Sequence, residues 1–249
     1  MAITRKALTA IKNLSRKKDR DESGFFTAEG IKVVEDLLLA GFQPQKLLTT
    51  EDFIPDSELF SGVREVIDPK EMERISALDS SSPVLAVFKK PLECPTQLTE
   101  GGLSLVLDDI QNPGNLGTIF RTAEWFGVQQ IFCSTGCADP FGPKTVQAAM
   151  GSLGRVATTT IDLVKLLEQA QKLSLPVYGA FLEGRNVYQV PLQNRGVLVL
   201  GNEGRGINHL LENLITTKLH IPSYGKSKME SLNVAMAAGI LLSEFRRKQ

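Results

Sequence analysis

Residues 197–207 read VLVLGNEGRGI, a run of four apolar residues that leads directly into a turn with three glycines. Such a short and continuously apolar run is typical of a strand buried on both faces, as in a parallel sheet covered by helices. Glycines after the strand allow a tight turn and a close approach of the backbone to a ligand. Because ligands bind at the carboxyl ends of strands in open α/β sheets, Glu203 in this turn is a candidate functional residue. A plain surface turn is the alternative.

The alternation of apolar runs and helical periodicity continues on both sides of this stretch. The predicted strands are 103–107, 130–133, 177–181, 197–200 and 219–221. The predicted helices are 116–126, 144–153, 163–173 and 231–247. Strands that alternate with helices indicate a parallel sheet with helices on both faces, so we predict an α/β domain over residues 102–249.

A smaller α/β domain is predicted over residues 1–90. Its predicted elements are helices at 30–41 and 69–77 and strands at 46–49 and 84–88. Gly41 stands where the closing glycine of a helix belongs, and Pro69 is acceptable in the first turn of the second helix. Residues 91–101 have two prolines and no periodicity, and we interpret them as the linker between the two domains.

The composition limits the class of protein further. The 249 residues are 42% hydrophobic, and 28 basic and 28 acidic side chains give a net charge of zero, unlike a disordered chain. No apolar run reaches the roughly 18 residues that span a bilayer, and the N-terminus has no apolar segment of a secretory signal. We therefore expect a cytoplasmic protein with no membrane association. Three cysteines and two histidines argue against a disulfide framework and against a metal site.

Charge is unevenly distributed along this neutral chain. Residues 1–20 have seven Lys or Arg residues and a single acid, Asp19, whereas residues 51–79 have nine acids and three basic residues. A basic arm can bind the phosphates of a nucleic acid. A solvated leading helix explains the same residues, and charge alone favours this alternative.

A second polar stretch follows another apolar run, where residues 108–121 read DDIQNPGNLGTIFR. Asn-Pro-Gly at 112–114 is a turn signal, and Asn115 is placed to cap the helix that follows. Arg121 shares a helix face with Gly117, which leaves room for a ligand beside the guanidinium. An ion pair between Arg121 and a surface acid explains the arginine equally well.

A third polar stretch, residues 221–233, reads IPSYGKSKMESLN and precedes the last predicted helix. Ser231 and Asn233 lie at the N-terminus of that helix, where free N–H groups attract polar or anionic groups. Plain capping of the helix by Ser231 is the alternative. It explains Ser231 and leaves Asn233 unexplained.

Two common nucleotide-binding motifs are absent from the sequence. The glycines at 201–206 do not have the spacing of a dinucleotide-binding fingerprint, and no acid follows at the expected offset. Gly225 and Lys226 are not part of a P-loop, because the upstream position of the first glycine is His220. A nucleotide-dependent oxidoreductase is therefore disfavoured.

Together, the motifs N-P-G-N-x-G-x-x-x-R, L-G-N-E-G-R-G and I-P-x-x-G…S-L-N-V-x-x-A-A-G-I resemble the SpoU (TrmH-type) branch of the SPOUT methyltransferases. The match covers about residues 101–249. The N-terminal part, with FTAEG at 26–30, is similar to the small substrate-binding domain, related to ribosomal protein L30e, of rRNA-directed members. The resemblance implies an α/β parallel-sheet domain with a deep trefoil knot, which periodicity does not reveal. It also implies a homodimer formed through the C-terminal domain, with the site near the interface.

The resemblance assigns roles to particular residues. The catalytic and RNA-contacting positions fall on Asn115, Arg121, Glu203, Ser231 and Asn233. The cofactor-binding positions fall on Gly201, Ile221 and Leu232, mostly through backbone groups. A guanidinium, with a pKa above about 12, rarely acts as a base. Our hypothesis is therefore that Arg121 grips the phosphate beside the target ribose and lowers the pKa of the hydroxyl.

The activity implied is transfer of a methyl group from S-adenosylmethionine to a ribose 2′-hydroxyl of RNA, in guanosine or another nucleoside. The small N-terminal domain favours 23S rRNA over tRNA as the substrate. Two alternatives remain open on sequence: a tRNA ribose 2′-O-methyltransferase, and a non-catalytic RNA-binding or ribosome-assembly protein on the same scaffold. Binding of S-adenosylmethionine would separate an enzyme from a non-catalytic scaffold.

Overall fold

The computed structural model describes residues 3–54, 58–60, 64–91, 96–225 and 231–247. By their internal contacts the chain forms two compact units. One comprises Met1–Leu92 and Asp139–Arg155, and the other comprises Glu93–Ala138 and Val156–Gln249. Part of the predicted linker at 91–101 lies outside the described residues, and this part includes Cys94. In none of the described ranges is a helix both long enough and apolar enough to cross a membrane.

The first unit is built on a mixed four-stranded sheet of order β1-β4-β2-β3. Its strands are β1 (Phe25–Glu29), β2 (Pro44–Thr49), β3 (Glu65–Val66) and β4 (Val84–Lys89). Its helices in chain order are α1 (Arg5–Asn13), α2 (Lys17–Ser23), α3 (Ile31–Leu39) and α4 (Pro69–Ile75). β4 is antiparallel to both β1 and β2, and β2 is parallel to β3. The sequence did not predict β1 or β3 as strands.

Local signals set the ends of α3 and α4 in this unit. Gly41 follows α3 with a φ of 90°, a conformation that glycine adopts without strain, which confirms the predicted helix end. Asp68 caps α4, accepting a hydrogen bond from the N–H of Lys70 at 2.8 Å, while the Glu71 side chain accepts from the N–H of Asp68. Pro69 occupies the first helical position, as predicted.

Asp139–Arg155 packs within the first unit, although the sequence analysis assigned it to the domain over 102–249. It contains α6 (Pro143–Ala149), which packs on β1, and α7 (Ser152–Arg155). The buried Arg20 guanidinium holds its beginning, donating to Asp139 at 2.6 and 2.9 Å. One helix was predicted at 144–153, and this is wrong because Met150 has a φ of 54° and separates α6 from α7.

The second unit contains a six-stranded sheet in which every pair of neighbours is parallel, with the order β10-β8-β9-β5-β6-β7. Its strands are β5 (Leu103–Leu107), β6 (Gln130–Cys133), β7 (Ala157–Thr160), β8 (Val177–Asn186), β9 (Gly196–Leu200) and β10 (Thr217–His220). Its helices are α5 (Pro113–Trp125), α8 (Leu163–Lys172), α9 (His209–Glu212) and α10 (Val234–Arg246). Every residue of β5 and β9 is buried, as their continuously apolar sequences predict.

Helices cover this sheet and complete its core. The apolar residues of α8 and α9 form one buried cluster with side chains of β5, β6, β8 and β9. α5 packs against α10, the last helix of the chain. This confirms the predicted class, an α/β fold with a parallel sheet in the C-terminal part and a smaller α/β domain before it.

Three details of the second unit differ from the sequence prediction. β7, at the edge of the sheet, was not predicted because its polar threonines give no apolar run. β8 is ten residues long and continues past Phe181 to Asn186. Its pairing with β10 skips a stretch of β8, because Lys218 pairs with Gly179 and the next residue pairs with Arg185. Since all six strands are parallel, their carboxyl ends meet at one edge, which we call the carboxyl edge.

Candidate active site

Asn115 lies in the first turn of α5 at the carboxyl edge, and it does not cap that helix. The cap is Asn112, whose side-chain oxygen accepts hydrogen bonds from the N–H groups of Gly114 at 2.8 Å and Asn115 at 3.1 Å. The prediction that Asn115 caps the helix is therefore wrong, because Pro113 starts the helix earlier than expected. The consequence is that the side-chain amide of Asn115 is free to contact another segment.

The turn after β9, residues 201–206, is held by its own hydrogen bonds, and we call it the glycine loop. The Asn202 side-chain oxygen accepts from the N–H groups of Gly204 at 2.9 Å and Arg205 at 3.0 Å. Asn202 and Gly206 also exchange two backbone hydrogen bonds, at 2.8 and 3.1 Å. A Cβ atom on Gly201 would lie 2.5 Å from Ile207 N, so only glycine fits there. The loop presents Glu203 at the surface.

Hydrogen bonds join three of the predicted site residues, which come from three distant segments. The Asn115 side-chain amide donates to Glu203 Oε1. The Asn233 side-chain amide donates to Asn115 Oδ1 at 3.0 Å. The acidic side chain therefore belongs to the glycine loop, while the two amides come from the N-termini of α5 and α10. We call these three residues the Asn–Glu–Asn cluster.

Asn233 also begins the last helix. Its side-chain oxygen accepts from the N–H groups of Ala235 at 2.9 Å and Met236 at 3.3 Å, so Asn233 is the cap of α10. The alternative that Ser231 caps this helix is wrong, because the helix starts at Val234. Ser231 is exposed and has no hydrogen bond to any other described residue. The same side chain of Asn233 thus closes a helix end with its oxygen and orients Asn115 with its amide.

Arg121 lies further along α5 and is not part of the cluster. Its side chain is exposed, and among the described residues it has neither an ion pair nor a side-chain hydrogen bond. Arg121 therefore forms no ion pair with any acid in the described ranges, which was the alternative explanation for this residue. Six residues separate Arg121 from Asn115, which places the two side chains about 120° apart around the helix axis.

The three positions assigned to cofactor binding share one property. Gly201 follows β9, Ile221 follows β10, and Leu232 precedes α10. Among the described residues, no hydrogen bond engages their backbone N–H or C=O groups. The same holds for the backbone of residues 221–225, which we call the proline loop. Within the part of the chain that the structure describes, these backbone groups therefore have no hydrogen-bond partner.

Residues that the sequence analysis did not single out also support this edge. Asn202 builds the glycine loop, and its side-chain amide donates to the carbonyl oxygen of Asp109 at 2.9 Å. Asp109 has a φ of 58°, which is unusual for a residue other than glycine. Asparagine with a glycine one or two residues later is a turn signal. Asn202, with Gly204 two residues later, has this signal in the sequence.

A pair of free thiols lies behind the loop that follows β5. Cys137 Sγ accepts a hydrogen bond from the N–H of Ile110 at 3.3 Å. A hydrogen bond from the Cys133 thiol lowers the pKa of Cys137 to about 7, although burial opposes this shift. The hydrogen bond to Cys137, followed by burial, raises the pKa of Cys133. Both cysteines are free thiols, Cys133 buried and Cys137 partly exposed.

The chain is similar to known proteins over its whole length. The profile of the SpoU rRNA Methylase family matches residues 102–243. The profile of the MRM3-like substrate binding domain matches residues 6–86. A Bacillus subtilis protein named 23S rRNA (guanosine(2553)-2'-O)-methyltransferase RlmP is 32% identical over 238 residues, which cover 94% of each chain.

Two solved structures have the same fold. A TrmH-family protein from Porphyromonas gingivalis has a TM-score of 0.87 and 39% identity, with complete coverage of both chains. An rRNA methyltransferase from Sinorhizobium meliloti, solved with bound AdoMet, has a TM-score of 0.86 and 29% identity, and covers 100% of this chain and 97% of that one. With a family profile over more than half of its length, the chain belongs to the SpoU rRNA methylase family.

Proposed function

We propose that this protein methylates the 2′-hydroxyl of a ribose in 23S rRNA, with S-adenosylmethionine as the methyl donor. The observation that carries the proposal is the Asn–Glu–Asn cluster, which joins the starts of two helices to the glycine loop at the carboxyl edge. The named activity of the Bacillus subtilis relative supports rRNA over tRNA. The family profile over residues 6–86, a substrate-binding domain, supports an RNA-binding role for the first part of the chain.

The residues present fit S-adenosylmethionine. Adenine is bound through neighbouring donors and acceptors, and the backbone groups of Gly201, Ile221 and Leu232 are not used within the described part of the chain. The Leu232 side chain is 47% exposed and would offer an apolar surface to the adenine ring of a bound cofactor. We propose that these three residues hold the cofactor. When bound, it supplies a methyl group that is already activated on a positively charged sulfonium.

The Asn–Glu–Asn cluster gives the site its polarity. Glu203 is exposed at the mouth of the site, where its negative charge favours a cation. The hydrogen bonds fix which way each amide faces, since Asn115 receives a bond from Asn233 and donates one to Glu203. Such preorganised dipoles align the reacting groups without reorganisation at the moment of reaction. We assign the same catalytic and RNA-contacting set as the family resemblance, including Ser231 and Arg121.

We assign to Arg121 the contact with the RNA phosphate beside the target ribose. A ribose hydroxyl is a poor nucleophile near neutral pH, so proton removal or a stabilised alkoxide is required. The guanidinium of Arg121 is exposed and has no ionic partner among the described residues, which leaves its donors for a bidentate contact to phosphate. Positive charge held beside the ribose lowers the pKa of the hydroxyl.

We propose that a second copy of the chain covers the outer face of α5. Trp125, four residues after Arg121, is 85% exposed, and Met236 on the neighbouring helix α10 is 62% exposed. A homodimer through this face buries both side chains and places Arg121 beside the cluster of the partner. Trp125→Lys is expected to give a monomer by light scattering, whereas Leu39→Lys, at an exposed leucine of the first unit, leaves the mass unchanged.

Three finer features complete the proposal. We propose that residues 1–90 bind RNA, that 91–101 link the domains and that 102–249 form the methyltransferase domain. We propose a deep trefoil knot in that domain, for which the sheet order, with β10 beyond β8 at one edge, is the supporting observation. We propose the cytoplasm as the location, because the rRNA that we propose as the substrate is found there in Bacillus subtilis, the source of the similar methyltransferase.

The test is a map of 2′-O-methylation across rRNA and tRNA in cells with and without the gene. We expect one ribose of 23S rRNA to lose its methyl group in the deletion strain, and the purified protein to restore it on that RNA. Glu203→Ala serves as the matched variant, for which we expect strongly reduced but measurable activity. Loss of a tRNA methyl group instead would correct the substrate. No lost methyl group, together with no binding of S-adenosylmethionine, would leave only a non-catalytic RNA-binding role.

A further inference from the structure

Asp109 connects three segments at the carboxyl edge. It is the second residue after β5 and has a φ of 58°, in the left-handed region that most side chains avoid. Its backbone N–H donates to Ser134 Oγ, in the segment after β6, at 2.9 Å. Its carbonyl oxygen accepts from the Asn202 side-chain amide, in the glycine loop, at 2.9 Å. The unusual backbone conformation is thus held by contacts on both sides of the peptide.

The Asp109 carboxylate adds a contact to the glycine loop and one to its own segment. Its Oδ2 pairs with Nη2 of Arg205 at 3.1 Å, and its Oδ1 accepts from the Gln111 side-chain amide at 3.0 Å. The Asp109 side chain is 24% exposed, whereas the Arg205 side chain is 73% exposed. An ion pair this exposed contributes little to overall stability. The pair nevertheless links Arg205, in the glycine loop, to the segment that follows β5.

The residues that Asp109 holds are neighbours of Glu203 in the chain. Asn202 precedes Glu203 directly, and Arg205 follows it by two positions. Asn202 also accepts hydrogen bonds from two N–H groups of the loop, at 2.9 and 3.0 Å. Fixing Asn202 therefore fixes the whole turn, including the backbone that directs the Glu203 carboxylate toward Asn115.

We infer that Asp109 is a positioning residue, which holds the glycine loop so that Glu203 meets Asn115 in the geometry needed for methyl transfer. The inference rests on the proposed function, because the value of that geometry is catalytic. Asp109 itself touches neither Glu203 nor Asn115 through any hydrogen bond of the described residues. It acts on the cluster through Asn202 and Arg205.

The test uses Asp109→Gly and Asp109→Asn. Glycine tolerates the positive φ and removes the carboxylate, whereas asparagine tolerates it well and keeps one acceptor. Ser174→Gly is the matched control, since Ser174 also has a positive φ, of 52°, between α8 and β8. Hydrogen exchange of the amides at residues 203–206 and steady-state kinetics with S-adenosylmethionine and RNA are the two readouts.

We expect Asp109→Gly to speed exchange of the glycine-loop amides and to lower kcat roughly tenfold, with a smaller change in KM. Asp109→Asn is expected to lie between that variant and the wild type. Ser174→Gly is expected to match the wild type in both readouts. In a Glu203→Ala background, Asp109→Gly should lower kcat much less than in the wild type, because the group it positions is gone.

Unchanged exchange in both Asp109 variants overturns the inference, and so does faster exchange with wild-type kcat. An equal loss of kcat with and without Glu203 also overturns it, because that loss would be independent of the cluster. If Asp109→Gly does not fold, Asp109→Asn decides by the same criteria. A wild-type protein that methylates no RNA contradicts the proposed function instead, and the exchange measurement still decides whether Asp109 holds the loop.

Discussion

Two loops at the carboxyl edge border the candidate site, and they are built in opposite ways. In the glycine loop, residues 201–206, the N–H groups of residues 202 and 204–206 are bonded internally, to the Asn202 side chain or between Asn202 and Gly206. The proline loop, residues 221–225, forms no internal backbone hydrogen bond in the described part of the chain. The first loop is therefore preorganised by its own hydrogen bonds, whereas the backbone groups of the second have no hydrogen-bond partner among the described residues. This contrast agrees with our proposal that Glu203, in the first loop, is catalytic and that Ile221, in the second, contacts the cofactor.

The largest expected effect comes from breaking the glycine loop at its base. Gly201→Ala adds a Cβ atom that would lie only 2.4 Å from the carbonyl carbon of Gly206 and 2.5 Å from Ile207 N, both backbone atoms. We expect the free energy of unfolding to fall by about 3 kcal/mol, and binding of S-adenosylmethionine to be lost. Urea denaturation and calorimetry measure the two effects.

Gly204→Ala is the matched control for this variant. It lies in the same loop, but its nearest neighbour for an added Cβ is Asn202 Oδ1 at 3.5 Å. We expect a change within about 0.5 kcal/mol. Equal stability loss in both variants would mean that the loop tolerates no change anywhere, and that the close approach at Gly201 is not the cause.

The second prediction concerns the response of the two loops to the cofactor. S-adenosylmethionine at about 100 times its Kd should raise the free energy of unfolding by about 2.7 kcal/mol. Its binding should slow amide exchange at Ser223, Tyr224 and Gly225 far more than at Gly204 and Gly206, because the N–H groups of the glycine loop are already bonded. Hydrogen exchange read by mass spectrometry with and without ligand measures this difference.

Methionine alone at the same concentration is the control ligand, and it should protect neither loop. Equal protection of both loops by S-adenosylmethionine would contradict the contrast between them. The glycine loop would then also be organised by the ligand.

The third prediction separates the two roles of Asn233. Asn233→Ala removes both the cap of α10 and the donor to Asn115, so we expect the protein to lose about 1 kcal/mol of stability and most of its activity. Asn233→Ser keeps a capping hydroxyl but does not extend to Asn115. We expect it to retain near wild-type stability and to lose activity as the alanine variant does.

Thermal melting and methyl-transfer rates of the two Asn233 variants provide the measurement. Wild-type activity in Asn233→Ser would show that Asn233 serves only as a helix cap. The Asn–Glu–Asn cluster would then reduce to the pair of Asn115 and Glu203.

The smallest expected effect concerns the reactivity of Cys137, which contacts the loop after β5. The pKa of Cys137 is lowered to about 7, so its thiolate predominates above that pH. Alkylation by iodoacetamide should rise about tenfold between pH 6 and pH 8 and then level off, whereas an ordinary thiol continues to gain reactivity above pH 8. Cys133 is buried with a raised pKa and should not react in the folded protein.

A Cys94→Ser background leaves Cys133 and Cys137 as the reporters, since the sequence has three cysteines. Mass spectrometry of the labelled peptides gives the rates. A rate at Cys137 that continues to climb steeply above pH 8 would contradict the lowered pKa.

Much of the site was predictable because it follows strands of unmistakable sequence. Buried apolar runs such as 103–107 and 197–200 indicate parallel strands, and the carboxyl ends of parallel strands share one edge. Of the residues that the family resemblance assigned to the site, hydrogen bonds join Asn115, Glu203 and Asn233, whereas Arg121 is not part of this cluster. The helix caps were predicted less well, because Asn112 and Asn115, or Ser231 and Asn233, compete within one short segment.

The sequence by itself thus determined the fold class, the alternating elements of the second unit and the polar segments at its carboxyl edge, because these depend on local periodicity and turn chemistry. Only the tertiary structure decided which amide caps each helix, that Asp109 adopts a positive φ, and that Asp139–Arg155 packs on the first unit. These features depend on partners far away in the chain, such as Arg20 for Asp139. Hydrogen bonds between distant residues leave no periodic signal in a sequence, and this is the physical reason for the division.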